Sequence, residues 1–180
     1  HPWNEAHLVA YLTGEVAEGH GAAAGPMLPV SLSIGQLPVE DAQAIARYIL
    51  DLKKTSSDAT SPPCPPAANT TARTLPGAAL FEGACASCHS SAAPMRTLDS
   101  RPALVHTSAV RADSPRNLIQ TILQGIPMST ADSSHYMPGF ADSLDDTHLA
   151  AIAEYLRNES CPTRPWTDLD KTIKSIRTQE

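Results

Sequence analysis

The clearest apolar periodicity lies late in the chain, where Leu149, Ile152, Ala153 and Leu156 form one stripe at helical spacing. Ser143-Leu144-Asp145-Asp146 ahead of it has the form of a capping box with an acidic third residue, and Asn158 supplies a left-handed stop. A helix is therefore predicted between them. A second helix is predicted over Pro76 to Ala84, opened by its proline, and a third, shorter one over Asn117 to Gln124 after Ser114-Pro115. Gly77 and Phe81 lie one turn apart on the Pro76 helix, as do Ile152 and Tyr155 on the late one. A small residue beside an aromatic lets two helices cross closely. No βαβ pattern is found, so the predicted class is all-α.

The late helix has an earlier echo. Ala44-Ile45-Ala46-Arg47-Tyr48-Ile49 repeats as Ala151-Ile152-Ala153-Glu154-Tyr155-Leu156, and Gly25-Pro26-Met27 precedes the first copy. Between the copies, residues 55–74 are rich in Ser, Thr, Ala and Pro and include Pro62-Pro63-Cys64-Pro65-Pro66, which reads as an extended, semi-rigid linker. The predicted organisation is a partial unit over 1–54, the linker over 55–74, a full unit over 75–158 and a tail over 159–180. A chain of 180 residues can hold one complete domain and part of another.

The chemistry concentrates at Cys85-Ala86-Ser87-Cys88-His89, the C-x-x-C-H signature of covalent haem c attachment. Two thiols within one helical turn can add to the two vinyl groups of a haem, and the adjoining His89 is held beneath the iron as proximal ligand. A bare C-x-x-C would also suit a zinc site or a redox dithiol. Zinc would want a second ligand pair, whereas Cys64 and Cys161 stand alone. An electron-carrying haem needs a sixth ligand, and methionine is the expected one because its thioether raises the potential. Of Met27, Met95, Met128 and Met137, Met95 lies too close behind His89 to reach the opposite haem face easily. Met128, after Ile126-Pro127, is the runner-up and otherwise core filler. Met137 in Tyr136-Met137-Pro138-Gly139-Phe140 is preferred, because Pro and Gly stiffen a short extended tether ahead of the late helix.

Taken as a set, these motifs make residues 75–158 resemble a class I cytochrome c domain. That resemblance implies a crossing of the first and last helices through Gly77, Phe81, Ile152 and Tyr155. It implies that the carbonyl of Pro102, in Arg101-Pro102-Ala103-Leu104, accepts the Nδ1–H of the proximal His and orients it. It also makes 1–54 the C-terminal part of a second cytochrome c-like domain, with Met27 a candidate ligand of a second haem. In the class I fold the two ends of the domain come together, so a disulfide between Cys64 and Cys161 is expected. His1 in first place suits processing or truncation, and no signal peptide is visible.

The segment Trp3 to Leu12, the Gly-Pro-Met element, the helix around Tyr48 and the tail Arg164-Pro165-Trp166 resemble something narrower. They are similar to the multihaem cytochrome c subunits of bacterial periplasmic dehydrogenases, which serve quinoprotein alcohol dehydrogenases or molybdenum-containing aldehyde and N-heterocycle oxidoreductases. This implies electron transfer rather than catalysis, with a dehydrogenase catalytic subunit and a downstream respiratory acceptor as partners and a periplasmic location. A haem with an open distal site, acting as gas sensor or catalyst, and a free-standing soluble carrier are the alternatives. Composition agrees with a carrier. Aromatics make up only 4% of residues, normal where a haem supplies much of the apolar core. A net charge of −6 argues against nucleic acid, and no apolar run approaches a bilayer span. Apart from His89, the residues His7, His20, His106, His135 and His148 read as surface positions or as supports behind a site.

Overall fold

A computed structural model describes residues 2–55, 64, 74–90, 93, 104–127 and 136–178. The described residues are helical, with two isolated β-bridges, Ala17 to Gly21 and Ile126 to Met137, and no strand among them. The all-α expectation holds.

The first unit contains α1 (Glu5–Leu12), α2 (Met27–Ile34) and α3 (Val39–Thr55). Asn4 caps α1 by accepting the His7 N–H at 2.8 Å, which satisfies one orphan donor of the first turn. Leu8, Leu12 and Ala46 bury a small core between α1 and α3, with Trp3, Ile34, Ile45 and Leu50 around it. Met27 begins α2 rather than standing in a loop, since the turn at Gly25-Pro26 already sets a helical start.

The second unit contains α4 (Pro76–Ala84), α5 (Ala86–His89), a 3-10 turn at Leu104–His106, α6 (Ser108–Arg111), α7 (Arg116–Gln124), α8 (Asp146–Ser160) and α9 (Leu169–Arg177). Helix α4 crosses α8 at Gly77, where a Cβ would run into the Ala151 carbonyl and come within 2.9 Å of the Tyr155 Cβ. Phe81 meets Tyr155 with ring centroids 5.3 Å apart. Behind this crossing, Ile119, Leu123, Leu149, Ile152, Ile173 and Ile176 form a fully buried core shared by α7, α8 and α9.

Two local expectations need correction. The cap of α8 is Asp145, whose carboxylate accepts the His148 N–H at 2.7 Å, because Ser143 and Leu144 are turned back onto the Phe140 carbonyl. The helix runs past Asn158 to Ser160, where the Ser160 hydroxyl donates to the Val105 carbonyl at 2.5 Å and holds the last turn inward. Within the tail, α9 buries Leu169, Ile173 and Ile176 against α7 and α8.

Arg157 ties the tail to this unit. It is 3% exposed, and donates from Nε to the Arg164 carbonyl at 2.6 Å and from Nη1 to the carbonyls of Val110 at 2.8 Å and Ala112 at 3.0 Å. Its guanidinium lies 4.6 Å from the centre of the Trp166 ring. A planar fork with several donors can satisfy carbonyls from three directions, which a lysine cannot. Cys64 and Cys161 form a disulfide with Cα atoms 5.0 Å apart, joining the chain ahead of α4 to the end of α8. Cys64 apart, the linker proposed over 55–74 lies almost wholly outside the described residues.

Candidate functional site

Helix α4 stops at Ala84, and the chain turns at Cys85 with φ −121° before the single turn of α5. The Cys85 carbonyl accepts the N–H groups of Cys88 at 3.1 Å and His89 at 2.9 Å. That turn brings Cys85, Cys88 and His89 together, with both thiols free. Burial, and then the neighbouring Cys88, push the Cys85 thiol up to about 11. Burial of this kind disfavours the charged thiolate and is compatible with thiols that end as uncharged thioethers.

His89 and Met137 line the same cavity, which is otherwise walled mainly by Leu104, Leu118, Ile126 and neighbouring apolar groups. Met137 is placed by the end of α7. Its N–H donates to the Ile126 carbonyl at 3.0 Å and its carbonyl accepts the Ile126 N–H at 2.8 Å. Gly125 stands at φ +71°, and a Cβ there would overlap the Met137 carbonyl. Gly139 lies so close to α7 that a Cβ would sit 2.7 Å from the Leu123 carbonyl, and the Phe140 N–H donates to the Ile122 carbonyl at 3.0 Å. Two glycines and three backbone hydrogen bonds thus hold the Met137 segment against one helix end.

A covalent haem fits this donor set: a soft thioether, an imidazole, two thiols in one turn and an apolar cavity between them. Pro102, Met95, Met128 and His135 lie outside the described residues. Met27 lines a second cavity, with Trp3, Leu8, Tyr11 and His20.

The sequence did not point to the part played by the first unit. Val16, His20, Gly21 and Ala22 help wall the cavity that holds His89 and Met137. His20 also lines the Met27 cavity and is 7% exposed, which fits the second of its two readings, a support behind a site, and not a surface position. It stacks on Trp3 with ring centroids 3.6 Å apart, and its Nδ1 lies 2.7 Å from the Ser108 hydroxyl of the second unit. Burial, with a smaller contribution from His7, lowers its pKa to about 4, so the ring is neutral near pH 7. No periodicity or motif marks this residue, because its burial depends on a contact 88 positions away.

Residues 72–156 match the family described as cytochrome C oxidase, cbb3-type, subunit III. The chain is 36% identical over 177 residues to a nicotinate dehydrogenase subunit of Pseudomonas putida, an alignment covering 98% of this chain and 15% of that protein. It is 34% identical over 178 residues to the fructose dehydrogenase cytochrome subunit of Gluconobacter japonicus, covering 86% of this chain and 36% of that one. The chain therefore spans well under half the length of these curated relatives.

Proposed function

We propose that the chain, whose residues 72–156 match a cytochrome family, relays electrons through haem c from a periplasmic dehydrogenase partner towards a respiratory acceptor. The observation that carries this reading is the pairing of His89 with Met137 around one apolar cavity, beside the free thiols of Cys85 and Cys88. When bound, haem c supplies a one-electron iron couple. Cys85 and Cys88 would tether it, and His89 and Met137 would hold its iron. The apolar walls keep water away and so favour the less charged state of the site. Nothing is bound or broken, so the protein's work is to set potential, orientation and docking.

The dehydrogenase partner is supported by the names of both relatives. The periplasmic location is supported by the Cys64–Cys161 disulfide, which persists in oxidising compartments. Among the described residues no helix is long and apolar enough to cross a membrane. A second haem at Met27 is supported by the repeat. Tyr155 packs on Phe81 of α4, whereas its counterpart Tyr48 on α3 is 65% exposed, as it would be if the matching partner helix belonged to another segment.

The visible spectrum of the haem-loaded protein tests the ligand set. The ferric form should show the far-red band of methionine bound to iron, and the reduced form should resist carbon monoxide. Met137→Ala should keep the haem attached while lowering the potential and admitting carbon monoxide. Equal uptake by the wild type and this variant would instead point to an open distal site, as in a gas sensor or catalyst. Haem staining and intact mass of the whole gene product count the haems, and one haem alone would remove the Met27 reading.

A further inference from the structure

Arg177 is the last residue of α9, far in sequence from the haem-attachment turn, yet it grips the segment that leaves Met137. Its Nε donates to the Asp146 carboxylate at 2.6 Å, its Nη1 to the Ala141 carbonyl at 3.0 Å and its Nη2 to the Leu144 carbonyl. All three acceptors fall within residues 141–146, the turn between Met137 and the body of α8. The side chain is 26% exposed, so these bonds form partly out of water. The base of the arginine is rigid, because Ile173 and Ile176 on the same helix are buried in the core.

We propose that Arg177 is a positioning residue for the axial methionine, a role that rests on Met137 being the iron ligand. The chain that leaves Met137 is then held at two successive points. At one, Gly139 and the Phe140 N–H lock it to α7; at the other, the Arg177 fork locks the turn that follows. A thioether is a weak ligand, so its occupancy of the iron depends on how little freedom its tether has. The two carbonyls lie in a non-helical turn and have no place in a helix ladder, so the guanidinium both satisfies them and sets the turn's shape. Lysine, a single-point donor, cannot span all three acceptors.

The test uses the full haem-loaded chain. Arg177→Gln should weaken the ferric far-red band and raise the reduced protein's capture of carbon monoxide about 10- to 100-fold, the usual cost of losing a group that orients a metal ligand. Arg177→Lys, a milder change should the glutamine variant fail to fold, should move both readouts in the same direction. If Arg177→Lys or Arg177→Gln lowers the melting temperature but leaves the band and carbon monoxide uptake at wild-type values, Arg177 is merely structural and the proposal is overturned. A wild type without the far-red band overturns the Met137 reading itself, and the proposal with it.

Discussion

His20 stacks on Trp3 and meets Ser108, so one imidazole joins the two units and helps wall both cavities. Burial and the nearby His7 take its pKa from the usual 6.5 to about 4, which means that the folded state disfavours the charged ring. A group with a lowered folded value contributes fully above its unfolded value, and that contribution fades as pH falls. The window here runs from about 6.5 down to about 4. Melting temperature of the wild type should therefore decline across that window. His20→Gln keeps a polar group without the titration and should show a flatter profile there. Parallel profiles for the two proteins would mean that His20 is not held neutral at this interface.

At the scale of elements, the crossing of α4 and α8 decides where the Cys85–His89 turn is delivered. Gly77 permits it, since any side chain there meets the Ala151 carbonyl on the facing helix. The backbone itself is the obstacle and cannot rotate aside as a side-chain tip would. Gly77→Val should destabilise the haem-loaded protein by about 1–3 kcal/mol or more, the usual cost of overpacking a close contact. Chemical denaturation reads this directly, and an unchanged midpoint would show that the two helices cross farther apart. Both helices were legible from spacing and from the Gly/aromatic pair. The ends of α8 were not, because the turn at Phe140 and the hold of Val105 on Ser160 come from elsewhere in the fold.

For the whole molecule, the Cys64–Cys161 disulfide closes a loop with a sequence separation of 97 and encloses the haem unit. By loop-closure entropy such a link stabilises by roughly 4–5 kcal/mol at most. Thiol labelling of the haem-loaded chain, denatured without reductant, should find no reactive cysteine, with Cys85 and Cys88 blocked by the haem. Two reactive thiols would show that Cys64 and Cys161 are unpaired in solution. Replacing both by serine should lower the melting temperature while leaving the visible spectrum unchanged, since neither residue lines the cavity of His89 and Met137.

What the sequence determined by itself was local. The Cys85–His89 motif is five contiguous residues, so its spacing needs no fold to be read. Helix faces follow from a 3.6-residue period, and the Met137 segment from Pro and Gly beside it. The tertiary structure alone decided which distant groups meet: His20 with Ser108, Arg157 with the carbonyls of Val110 and Ala112, and Arg177 with the turn behind Met137. Each of those contacts depends on the docking of one element on another, and side-chain docking leaves no period or motif in either partner's sequence.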